Sequence, residues 1–112
     1  MARPYVPQRG EMVGLQFAPQ AGRGEAGHWA ALVVSPGAYN EKVGLALVCP
    51  ITRQVKGYPF EVVLPPGLKA GGAILADQLR CLDWRARHAT LIGEAPAEVL
   101  NETLAKIATL VR

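Results

Sequence analysis

Short apolar runs broken by glycine, proline and polar residues recur along most of this chain. The runs at 12–17, 30–35, 44–51, 60–64, 73–76, 80–82 and 90–93 have the length and the flanking residues of strands in a compact β structure. Only the final segment has a helical period. Pro96 suits a first helical turn, and Leu100, Leu104, Ile107 and Val111 follow at steps of four, three and four, with Leu110 widening the stripe. That face is expected to pack on the sheet. Residues 19–28, with Gly22, Gly24 and Gly27 among charges of both signs, and residues 52–58 are too long and too flexible in composition for simple hairpin turns. Each leaves a strand, so the two loops are expected to hang over one sheet face and wall a groove.

With 112 residues, half of them hydrophobic, the chain has enough material for one modest core, and no repeat or linker divides it, so 1–112 reads as a single domain. The formal charge of +3 is a mild basic excess that favours a polyanionic partner without requiring one. Cys49 and Cys81 both fall in runs that read as buried strand, where a free thiol acts as a small apolar group. Their spacing matches no zinc pattern, and His28 and His88 add no second ligand pair, so no metal or other cofactor is expected. No apolar run approaches the ~20 residues of a membrane span. The start, Met1-Ala2-Arg3-Pro4-Tyr5, lacks the apolar core of a signal peptide, which predicts a cytoplasmic protein.

One stretch is more specific: Cys49-Pro50-Ile51-Thr52-Arg53-Gln54-Val55-Lys56-Gly57-Tyr58-Pro59-Phe60-Glu61, an apolar strand running out into a hydroxyl, two cations and a turn. It resembles the core motif of the MazF/PemK endoribonuclease toxins. Further matches lie in collinear order at Tyr5-Val6-Pro7, Gly10-Glu11, Ala26-Gly27-His28, Leu32-Val33-Val34-Ser35-Pro36, Tyr39-Asn40, Leu75-Ala76-Asp77-Gln78 and Trp84-Arg85-Ala86-Arg87. The resemblance implies a mainly β fold, a small SH3-like β barrel of the MazF/CcdB type with a C-terminal helix. It also implies sequence-selective, metal-independent cleavage of single-stranded RNA that leaves 2′,3′-cyclic phosphate and 5′-hydroxyl ends. Such a protein would be the toxin of a type II toxin–antitoxin system, a homodimer inhibited by a MazE-like antitoxin laid across the groove.

Metal-free RNA cleavage needs a base for the 2′-hydroxyl, donors for the pentacoordinate phosphorus and an acid for the departing 5′-oxygen. Thr52, Arg53 and Lys56 on the second loop, with Arg23, Glu25 and His28 on the first, are the groups able to meet that need. Thr52 also reads as a threonine capping a turn, and Lys56 as a solvated turn lysine. No phosphate loop, nucleophile elbow or metal-binding carboxylate cluster suggests another chemistry. For base stacking the choices are Phe17 and Trp29, beside the first loop. By resemblance Asn40, Gln78 and Arg80 supply hydrogen bonds to base edges or phosphates. Arg85 and Arg87 would point the same way in an extended segment, although a solvated turn explains them equally well.

The first loop departs from the family pattern of glutamate, two residues, glycine, one residue and Arg-Pro. Trp29 stands where the family has its arginine, Ala30 where it has proline, and Gly24 where it has glutamate, with Glu25 displaced by one. An indole stacks on a base but does not relay a proton. Arg23 or His28 replaces the cation, or activity survives weakly on Thr52 and Lys56, or the protein binds RNA without cutting it. Histidine has the ordinary pKa closest to neutrality; the match of His28 to relatives that also carry His there implies a structural or surface role. A CcdB-like gyrase poison is a third reading, but that family ends in Trp-Gly-Ile and this chain ends in Thr109-Leu110-Val111-Arg112.

Overall fold

The computed structural model describes residues 4–17 and 27–112, with the backbone alone at Phe17. Strand β1 (Glu11–Phe17) pairs antiparallel with β2 (Gly27–Val33), Met12 opposite Leu32 and Gln16 opposite His28. The second strand pairs in turn with β3 (Ala46–Thr52), Ala31 opposite Pro50. The free side of β3 has two partners. Its first half takes β6 (Arg80–Leu82) and its end takes β5 (Ala73–Leu75), which carries β4 (Glu61–Val63) beyond it. On the far side, β7 (Thr90–Glu94) pairs with β1 across a register shift at Met12/Val13.

Pro50 shows how the sequence permits this branching. Leu47 turns its carbonyl to Val34, on the β2 side, so Pro50, of opposite parity, turns its nitrogen to the other edge. There β6 has ended opposite Val48 and β5 begins opposite Ile51. A residue without an N–H costs nothing at that gap.

All seven strands fall where the apolar runs predicted them, and the mainly β fold with a C-terminal helix is present. Among the described residues the strand path β4-β5-β3-β2-β1-β7 is open, with β6 pairing β3 off that path and no pairing that joins β4 to β7. Apolar residues cover both faces. Met12, Leu32, Cys49, Ile74 and Val99 form one core; Val13, Leu15, Ala31, Val33, Val48 and Trp84 form the other.

Helix α2 (Ala97–Val111) closes the first core, with Pro96 as its N-cap rather than inside its first turn. Leu100, Leu104 and Ile107 pack on that core, but the deepest line runs through Val99 and Thr103. Buried Thr103 is satisfied by donating its hydroxyl to the Val99 carbonyl at 2.9 Å. Val111 and Leu110, expected on the stripe, are 70% and 51% exposed, because the last turn runs past the core.

The expectation of a single helix is corrected by α1 (Gly37–Val43). Seven residues with one buried position give no readable period. Gly44 ends it in the left-handed conformation (φ 80°), donating its N–H to the Asn40 carbonyl. Both cysteines are free. Cys49 lies in the core, where burial pushes its thiol up to about 12 and keeps it protonated. Cys81, expected to be buried, is exposed on the three-residue β6.

Candidate functional site

A cleft of about 550 Å³ opens where β2 and β3 reach the end of the sheet. His28 and Trp29 enter it from β2, Thr52 and Arg53 from the end of β3, and Gln78 and the 69–71 turn from the opposite side. The Ala31–Pro50 register, continued to the strand ends, aligns Trp29 with Thr52. Equal parity puts both on one sheet face.

Thr52 makes the turn-capping contact that the sequence offered. Its Oγ1 accepts a hydrogen bond from the Gln54 N–H at 3.1 Å. A hydroxyl that accepts there still has its own proton to donate into the cleft. The opposite wall, Lys69-Ala70-Gly71, was not among the expected site residues. It lies close because Gly72 (φ +108°) has no Cβ: one would stand 1.9 Å from the Thr52 carbonyl oxygen. The Gly71-Gly72 pair signals a turn in the sequence, but not what the turn packs on.

The segment after Thr52 is tied down by Glu61, which is only 7% exposed. Its carboxylate accepts the Gly57 N–H at 2.7 Å and the Lys56 N–H at 3.1 Å. Tyr58 donates its hydroxyl to Asp77 at 2.6 Å, and that bond raises the phenol above its ordinary pKa. Lys56 is therefore fixed at its backbone while its side chain is exposed, outside the cleft lining. Glu61→Ala strands two N–H donors and is expected to cost about 2 kcal/mol. The readout is faster amide exchange at Lys56 and Gly57 with a lower Tm; unchanged exchange would show that the loop is held by something else.

The other expected site residues separate into groups. Arg80 places its guanidinium 4.6 Å from the centre of the Trp29 ring. His28, assigned to the first loop, belongs to β2. Asn40, expected at base edges, is wholly buried, with its amide used on Pro7 and Ser35. Arg85 and Arg87 do not share a direction, because residues 84–88 form turns rather than a strand. Arg85 stacks on Trp84 at 4.6 Å, and Arg87 donates to the Gln16 carbonyl at 3.5 Å. Neither lines the cleft. Arg23, Glu25 and the Phe17 side chain lie outside the described residues. Among the described residues no group of three His, Cys, Asp or Glu is gathered for a metal, and no helix is long and apolar enough to cross a membrane.

Residues 8–111 match the family described as PemK-like, MazF-like toxin of type II toxin–antitoxin system. The chain is 46% identical over 111 residues to the endoribonuclease toxin MazF of Escherichia coli K12, with 99% of each chain covered. It is 34% identical over 110 residues to the endoribonuclease toxin ChpB of the same strain, with 93% of each covered. The crystal structure of MazE–MazF (Form-II) from Deinococcus radiodurans matches with a TM-score of 0.92 at 51% identity, over 96% of this chain and 97% of that one. A family match from residue 8 to residue 111, with identity of this order across whole chains, means that this protein belongs to the PemK/MazF toxins of type II toxin–antitoxin systems.

Proposed function

We propose that this protein is a sequence-selective endoribonuclease that cleaves single-stranded RNA in the cytoplasm without a metal ion, as the toxin of a toxin–antitoxin pair. The observation that carries the reading is the Thr52 hydroxyl in a cleft shared with Arg53, Lys69 and the Trp29 indole. In the proposed step the 2′-oxygen attacks the adjacent phosphorus, the 2′-O–P bond forms and the P–O5′ bond breaks. A base in the cleft takes the 2′-hydroxyl proton, and that protonated group or a water gives a proton to the 5′-oxygen as it leaves. The products are a 2′,3′-cyclic phosphate and a 5′-hydroxyl. Thr52 donates its proton to a non-bridging phosphate oxygen.

The test is incubation with a mixed RNA pool in EDTA, followed by mapping of the new ends. Thr52→Ala is expected to lower kcat about 100-fold. Equal cleavage by wild type and T52A would remove Thr52 from the chemistry.

A homodimer and a MazE-like antitoxin are part of the same proposal. The Deinococcus relative is seen as a MazE–MazF complex, and an acidic antitoxin segment would suit the cations at this cleft. The second reading is a homologue that binds RNA and leaves it intact. It is favoured by Trp29, whose indole neither takes nor gives the proton the reaction moves, and it predicts salt-sensitive binding with no new ends.

A further inference from the structure

We infer that Trp29 and Arg80 act as a unit, the indole holding the Arg80 guanidinium at the cleft as the cation that clamps the scissile phosphate beside Thr52. The inference rests on reading the cleft as an RNA-cleaving site. Attack by the 2′-oxygen adds negative charge to the non-bridging oxygens, and a donor already fixed in place stabilises that charge without reorganising. Among the described residues three cations stand at or beside this cleft: Arg53 and Lys69 in its lining and Arg80 against Trp29. The side chains of Arg53 and Lys69 are exposed and make no hydrogen bond or ion pair among the described residues. Either would lose considerable freedom on closing over a phosphate. Arg80 is the one already held, 4.6 Å from the indole centre.

The strand register brings this pair toward Thr52. Arg80 starts opposite Val48, which has the same parity as Pro50 and Thr52, so Arg80, Trp29 and Thr52 share one face. Trp29 is aligned with Thr52, four residues further along β3 than Val48. The contact between Arg80 and Trp29 closes the gap between those two levels. A guanidinium resting on a ring keeps its N–H donors around its edge, in a fork that fits two phosphate oxygens. An indole at position 29 is then the seat for the working cation. Arginine in its place would put a second positive charge beside Arg80, so Trp29→Arg is expected to lower activity.

The experiment is steady-state cleavage of an oligoribonucleotide that the wild type cuts, with variants at both positions. Arg80→Ala is expected to lower kcat about 100-fold with KM little changed. Trp29→Ala should fall similarly, and Trp29→Phe, which keeps a ring for the cation, should retain most activity. The double variant W29A/R80A should be no worse than R80A alone, because the two losses are one loss. Wild-type kcat in R80A, or a double variant that multiplies the single losses, overturns the inference while cleavage itself stands.

If the wild type binds RNA but leaves it intact, the cleavage reading has failed and the phosphate contact is tested by binding alone. R80A should then reduce the salt slope by about 0.7, one single-strand phosphate contact; an unchanged slope overturns it. A wild type that neither cuts nor binds RNA overturns both.

Discussion

Gly72→Ala is expected to lower Tm by more than about 10 °C and to abolish RNA cleavage in whatever fraction stays folded. A Cβ at this position would stand 1.9 Å from the Thr52 carbonyl oxygen, 2.8 Å from its carbon and 3.0 Å from the Arg53 Cα, all of them backbone atoms. A flexible side chain would move aside; a strand end cannot do so without dragging its residues along. The conformation adds to the cost, since φ +108° is one that residues with a Cβ rarely adopt. Overpacking and strain together come to about 3 kcal/mol, a large share of a small domain's stability. The residues that must shift are Thr52 and Arg53, so the damage falls on the cleft. Gly71→Ala is the control, because a Cβ there meets nothing within 4 Å. It should melt close to wild type. Differential scanning calorimetry with the cleavage assay decides, and a G72A protein that behaves like G71A would mean that the turn does not brace Thr52.

The same residues show why parts of the molecule were legible in sequence and parts were not. Strand positions follow from local information, apolar runs ended by glycine and proline, and each of the seven lies within a few residues of its expected place. Thr52, Arg53, Trp29 and Gln78 also reach the cleft, since the motif puts a hydroxyl and a cation directly after a buried strand. Contacts made across the chain without a distinctive side chain were invisible. Gly72 acts through an atom it lacks, and no spacing reveals that the 69–72 turn lies on Thr52. A buried polar residue carries no apolar signature, so neither Asn40 nor Thr103 shows in the sequence that it lies in the interior. Arg85 and Arg87 depended on backbone shape, and turns at 84–88 send them to different neighbours.

Asn40→Ala is expected to destabilise the fold by about 3 kcal/mol while leaving the kcat of the folded molecules unchanged. The Asn40 amide donates to the Pro7 carbonyl at 2.8 Å and the Ser35 carbonyl at 3.1 Å, and its oxygen accepts from the Ser35 hydroxyl at 2.5 Å. Ser35 in turn accepts the Leu47 N–H at 2.9 Å. One side chain thus joins the N-terminal segment, the chain beyond β2 and helix α1, with β3 one bond further on. Alanine removes the donor and leaves two buried carbonyls without that partner, and the penalty for orphaned groups exceeds the worth of the bonds lost. Asn40→Asp should be worse at neutral pH, because an ionised carboxylate cannot donate to either carbonyl and carries a charge into a buried site. The base-contact role expected from the sequence predicts the opposite pattern: weaker RNA binding with Tm preserved. Urea denaturation of N40A and N40D, with cleavage rates normalised to the folded fraction, separates the two. A stable N40A protein with impaired RNA binding would return Asn40 to the RNA surface.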